Sequence, residues 1–373
     1  MVEFMQTDEA AEVKRYKVPM IAVDPLMEKL GIIRNDLFEV IDIPDDADTT
    51  NYTDNWWNGL DGDEQREVRE LLQAVGSPLQ LTRIKSLRNE DYLMATIMVQ
   101  DSVSPDDPGY LIGEKDERRY LEAQKLLEAD VISSTLLLHL DAGFEAAEVE
   151  LQFTIPGESF PVFLALLDLY RRSYMISVLE HGEKPASLKV EDVLNALNDG
   201  IETPDLRWNV PFVRPILAAP IKADIETVRN GLYFLAKLDL IEVTDDYSEI
   251  TLNEPMELIV EEFVTKYTSV ALQSLSFLNG QPVSSTSAFI RTTNVIWFMD
   301  ITGGDDNSVL FAATTLEKAG ELLAEIFTPT GMVPVETSVD SEAPMCPKCG
   351  KPATWVEAYK RWYCYSCQEY LDV

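Results

Sequence analysis

The chain has 373 residues, with 30 basic and 65 acidic side chains, a formal net charge of −35 and 46% hydrophobic residues. That length holds two or three domains with cores of their own, and the composition is globular, neither disordered nor fibrous. A surface this negative repels phosphate backbones and anionic membranes; it suits a basic protein partner, a salt-rich cell interior, or solubility through self-repulsion.

No apolar run approaches the roughly 20 residues that cross a bilayer. The acidic start, Met1 to Glu9, lacks the basic and apolar regions of a signal peptide. The expectation is a cytoplasmic protein with no membrane partner.

Tyr16–Val23 reads as a strand, followed by a short helix at Leu26–Leu30 and a strand at Leu37–Ile43. A loop rich in Asp, Asn and Thr runs from Pro44 to Gly62, and Asp63 is placed to cap the helix through Leu71 and Leu72. Tyr92–Val99 is a strand that ends in the turn-rich Ser104–Gly109. Ser134–His139 and Ala147–Phe153 read as strands and Phe160–Arg172 as a helix. Much later, Ala288–Ile301 reads as one long strand, Gly303–Asn307 as a hairpin turn, Val309–Ala313 as a strand and Leu316–Phe327 as a helix. A strand–strand–helix order thus occurs in both halves and suggests a pseudo-twofold body built from a duplicated unit.

Between these units, Val190–Leu197 makes a helix closed by Asn198-Asp199-Gly200. Phe212–Ala219 makes a second helix, and Asp224–Leu238 a third with Ile225, Val228, Leu232 and Leu235 on one face. Ile241–Thr244 and Glu249–Leu252 then form a hairpin. Three helices closed by a hairpin resemble a winged helix. Residues 187–254 carry six basic and thirteen acidic side chains, a net of −7, so a protein partner is favoured over DNA.

Thr328–Pro344 is rich in Pro, Thr, Ser and Glu and reads as a linker. Beyond it stand Cys346-x2-Cys349 and Cys364-x2-Cys367, the four cysteines of the chain. Two such pairs are a tetrahedral thiolate set for one zinc ion. Two disulfides are the alternative, disfavoured in an intracellular chain with no other cysteine. The knuckle Cys346-Pro347-Lys348-Cys349-Gly350 resembles the zinc-ribbon superfamily, while the second pair departs from it with Gln368 where Gly is usual. Thr354–Tyr359 and Arg361–Cys364 read as two strands joined at Lys360. The resemblance implies one structural Zn²⁺ per chain with no open position for catalysis. Residues 342–373 carry four basic and four acidic side chains, unlike the rest of the chain, and Trp355, Tyr359, Lys360, Arg361, Trp362 and Tyr365 are candidate partner-binding residues. The order of winged helix then ribbon also resembles archaeal transcription factor E, departing from it by residues 1–186 and an α/β unit at 255–327.

Phosphate-binding loops, dinucleotide fingerprints and nucleophile elbows are missing from the sequence. Of the two histidines, His139 reads as a core or cross-strand residue and His181 as the end of a helix. A calcium loop aligned on Asp54 fails, because Trp56 and Gln65 occupy ligand positions.

These features predict an α+β fold: an α+β domain at 1–186, a winged-helix-like module at 187–254, a strand-strand-helix unit at 255–327, a linker at 328–344 and a zinc ribbon at 345–373. The expected function is a non-enzymatic adaptor or scaffold that binds protein partners, a basic one suiting its charge. The alternatives are a transcription regulator using winged helix and ribbon, and a secretion or assembly chaperone with a pseudo-twofold body.

Overall fold

A computed structural model describes residues 15–35, 50–88, 92–102, 107–113, 120–126, 128, 131–143, 147, 149–217, 219–278, 281–302, 307–328, 348, 354–356, 361–364 and 369–370. The chain divides into two units, Met1–Pro329 and Thr330–Val373.

The first unit is α+β. Its first half runs β1 (Arg15–Pro19), α1 (Met20–Leu30), α2 (Thr50–Asn58), α3 (Gly62–Gly76), β2 (Gln80–Arg88), β3 (Tyr92–Gln100), β4 (Gly109–Gly113), β5 (Tyr120–Leu126) and α4 (Val131–Leu140). The second half opens with β6 (Gln152–Pro156) and α5 (Phe160–Leu179). A small module follows: β7 (Leu188–Lys189), α6 (Val190–Glu202), α7 (Asn209–Val213), α8 (Ile225–Lys237), β8 (Ile241–Val243) and β9 (Glu249–Leu252). The half closes with α9 (Glu254–Val264), β10 (Lys266–Leu278), β11 (Gln281–Thr292), β12 (Ile296–Asp300), β13 (Ser308–Thr314) and α10 (Leu316–Ile326).

Ten strands form one antiparallel sheet in the order β1-β5-β4-β3-β2-β10-β11-β12-β13-β6. The order is the same from either edge: each half places its first strand outermost and its second at the centre, where β2 pairs with β10. That central ladder runs from Gln80↔Ser276 to Arg88↔Thr268, with Ile84↔Leu272 at its midpoint. Rotation about this midpoint exchanges Gln80 with Thr268 and, one strand out, Gln100 with Arg291. The chemistry follows the geometry. Gln80 and Gln100 donate to the last carbonyls of α10, Ile326 O and Phe327 O, each at 2.8 Å, while Thr268 Oγ1 donates to His139 O near the end of α4 at 2.9 Å. Such bonds satisfy carbonyls that a helix leaves open at its C-terminus.

Helices α4 and α10 cover one sheet face over a core that includes Ile84, Leu136, Leu272, Phe289 and Leu323. Two further cores exist: one built from α1, α3 and the first-half strands, and a larger one from α5, α9, the module and the second-half strands. Among the described residues no helix is long and apolar enough to cross a membrane.

Several expectations are corrected. The strand–strand–helix unit expected in the first half does not form, because Ser134–His139 belongs to α4 and not to a strand. A short apolar run has no decisive period of its own; here Ile132, Thr135, Leu136 and Leu140 face the sheet at helical spacing. The strand expected at Ala147–Phe153 sits at Gln152–Pro156, where it pairs with β13. The long strand Ala288–Ile301 is two, since the chain folds back at Thr293–Val295, with Thr292 N donating to Val295 O and Asn294 tied to the Glu262 carboxylate. In the first strand, Pro19 ends the ladder and Met20 begins a helix that runs through Leu30. The stretch Pro44–Gly62 contains α2, and the cap of α3 is Asp61 and not Asp63: Asp61 accepts from Asp63 N and Glu64 N while Glu64 reaches back, a capping box. Asn198-Asp199-Gly200 does not close α6, which continues to Glu202; Gly200 lets α7 approach, as a Cβ there would lie 2.7 Å from Val210. The helix expected at Phe212–Ala219 begins earlier, at Asn209, and ends in a 3₁₀ turn at Arg214–Ile216. Leu37–Ile43, Gly303–Asp306 and residues 329–344 lie outside the described residues.

In the second unit, β14 (Thr354–Val356), β15 (Arg361–Cys364) and β16 (Glu369–Tyr370) form an antiparallel sheet in that order. Trp355 pairs with Trp362, and Cys364 with Glu369.

Candidate partner-binding surface

Helix α5 begins at Phe160, with Pro161 in its first turn, where a missing N–H costs nothing. Every residue from Phe160 to Arg171 is buried, because α6, α7, α8 and α9 all pack on it. Its last two turns are different. Met175 (38%), Ile176 (48%), Val178 (56%) and Leu179 (80%) are exposed. At about 100° per residue these four positions span an arc of about 160°, so they form one stripe. Tyr170 and Tyr174, stacked at 6.3 Å, occupy the opposite side.

The helix stops sharply after the stripe. Gly182 N donates to Ser177 O at 2.8 Å and His181 N to Val178 O at 3.3 Å, with His181 in the left-handed region at φ 54°. This is a Schellman closure with histidine where glycine is usual. Glu180 and Glu183 follow the stripe directly, while on the tyrosine side Glu261 of α9 holds Lys184 at 2.5 Å. Burial, with Glu261 and Glu257 nearby, raises the Tyr170 hydroxyl above the usual tyrosine value.

The buried part of α5 anchors the module through one carboxylate. Asp168 accepts from Asn209 N (2.9 Å), Asn209 Nδ2 (2.8 Å) and Val210 N (3.0 Å), thereby capping α7. Burial pushes its carboxyl above the usual range, against the backbone bonds and the nearby Lys266 and Arg171. Arg171 donates to Arg207 O at 2.9 Å and lies over the Trp208 ring. A cavity of about 390 Å³ opens beside this cluster, lined by Asp168, Arg172, Asp199, Gly200, Glu202 and Trp208 among others. Its Arg172 and Asp199 are paired to each other at 2.8 Å.

Helix α8 crosses α5 at Gly231, where an added Cβ would sit 2.7 to 2.9 Å from the Val162 side chain. Gly231→Ala is therefore expected to destabilise the first unit by about 1–3 kcal/mol, although alanine favours helix. Chemical denaturation checks this; an unchanged midpoint would show that the crossing has slack. The outer face of α8 presents Glu226, Arg229, Tyr233 and Lys237, and Lys237 Nζ lies 4.5 Å from the Tyr233 ring centroid.

Of the sequence candidates, Trp355, Arg361, Trp362 and Cys364 lie in β14 and β15. Cys346, Cys349, Cys367, Tyr359, Lys360 and Tyr365 lie outside the described residues. His139 sits on a helix, half-buried, with Nδ1 3.2 Å from Ser86 Oγ; burial, then Arg88, lowers its pKa. Asp54 of α2 binds Lys29 at 2.6 Å. The stripe on α5 was not among the sequence candidates. Its signal is legible in retrospect: aliphatic residues continue past Arg172 to the stop at His181-Gly182.

No protein-family model matches the chain, and no curated protein matches it. Among solved structures, a chain from the complex of the Mycobacterium tuberculosis type VII secretion system chaperone EspG5 with the PE25–PPE41 dimer is similar, at a TM-score of 0.42 and 8% identity over 86% of this chain and 98% of that one. A likeness of that size fixes neither fold nor function.

Proposed function

We propose that this protein is a non-enzymatic, cytoplasmic binding protein of the assembly or secretion chaperone kind, which shields an apolar segment of a protein partner. The observation that carries the proposal is the solvent-facing stripe Met175, Ile176, Val178 and Leu179 at the end of a helix whose first twelve residues, Phe160–Arg171, are buried. An apolar ridge held rigidly in water favours binding to apolar surface elsewhere. This favours a shielding role over an adaptor that works through polar faces. The body of two like halves, with its mirrored strand order, fits the same reading. Regulation of transcription through a winged-helix-like module is less well supported, since the α8 face mixes acidic, basic and aromatic groups in a segment of net −7. The C-terminal unit is read as a zinc ribbon on the chemistry of its four cysteines, which would hold one structural Zn²⁺ and tie its short strands together.

A photoreactive residue placed at position 179 tests the docking role in living cells, with position 33 as control because Ile33 is 81% exposed yet lies far from α5 in sequence. The expected result is a covalent adduct with one other protein from position 179 alone, lost when Ile176→Asp is added. Equal adducts from both positions, or adducts only with itself, would count against the reading.

A further inference from the structure

We infer that the stripe on α5 receives an amphipathic helix of a partner protein, with an apolar face bordered by lysine or arginine. The inference rests on the docking role proposed for that stripe and specifies its occupant. Three observations lead there.

The first is backbone satisfaction. Helix α5 bonds its own amides and carbonyls and closes with the Schellman bonds of His181 and Gly182. It therefore offers an incoming segment only side chains, and an extended strand would find no ladder to join. The second is spacing. Met175, Val178 and Leu179 stand at i, i+3 and i+4, the ridge that packs into the groove of another helix. The third is charge. Glu180 and Glu183 follow directly on the ridge, in a chain whose net charge is −35. A partner helix with basic flanks gains from that border. A second copy of this chain, itself at −35, would bring like charges together, and an anionic bilayer would be repelled.

The test uses the full chain and two synthetic peptides of roughly 18 residues, long enough to be helical when bound. Both carry the same leucine face; one has a lysine polar face, the other a glutamate one. Fluorescence anisotropy is read for the wild type, for Ile176→Ser/Leu179→Ser, and for Ile33→Ser as control. The lysine peptide should bind the wild type and Ile33→Ser alike. It should bind the double variant about tenfold more weakly, and the glutamate peptide should be weaker than the lysine one by a similar factor on the wild type. Circular dichroism of the double variant should match the wild type, since both residues are exposed. Equal binding of the lysine peptide to wild type and double variant would overturn the inference, leaving only attraction to overall charge. Equal binding of the two peptides would overturn the basic border while keeping the stripe as a docking ridge. If neither peptide binds but the adduct at position 179 persists, the docking role stands and the helical occupant falls. Failure of both removes the two together.

Discussion

Asp168→Ala is expected to lower the stability of the first unit by about 3–5 kcal/mol, because it removes one partner from a buried charged cluster. The carboxylate accepts three hydrogen bonds, two of them from the opening amides of α7. Without it those amides are buried and unpaired, and the positive charges of Lys266 and Arg171 lose their counter-charge. Chemical denaturation should show the loss, and limited proteolysis should first cut the module between Leu188 and Leu252, which α7 ties to α5. Asp168→Asn keeps the volume but turns an amide N–H towards Val210 N, so it should cost less than alanine and more than nothing. The sign with pH follows from the raised carboxyl. Ionisation works against the fold at this site, so the wild type should gain stability relative to Asp168→Asn as pH falls through the raised value towards about 4. A flat difference between the two proteins across that range would mean that the hydrogen bonds outweigh burial.

Cys349→Ser is expected to abolish metal binding while leaving the first unit intact. Four thiolates complete a tetrahedral zinc shell, and apparent binding free energies of about 10–16 kcal/mol are folding energy for so small a unit. Elemental analysis should find one zinc per wild-type chain and essentially none in the variant. The ribbon, residues 345–373, should then become protease-sensitive, while the melting of Met1–Pro329 stays unchanged. Zinc retained by the variant, or a wild type that carries none, would remove the ribbon from the account.

The elements legible in the sequence share one property: their signal is local. Helix α8 declares itself through Val228, Leu232 and Leu235 on one face of Asp224–Leu238, and the structure places its ends within a residue of that reading, although Ile225, expected on the same face, is exposed. Strands β3 and β13 and helix α10 are similarly close to their sequence readings. The misread elements depend on distant partners. The run Ser134 to His139 could fill a ladder or cover one; it covers one because β2 and β10 already pair with each other at the sheet centre. Gly200 looks like a helix stop, yet it serves the approach of Val210 from another helix.

From residues alone come the acidic character, the α+β class, the two Cys-x2-Cys pairs and the three-helix pattern of the module, since composition and short-range spacing carry them. The pairing of the two halves across β2 and β10, the capping of α4 and α10 from equivalent rows, and the buried Asp168 arise from contacts between residues far apart in the chain. So does the stripe on α5. Its aliphatic residues are indistinguishable in sequence from the core residues that precede them on the same helix, and they differ because packing helices cover the first three turns on all sides and leave one face of the last two in water.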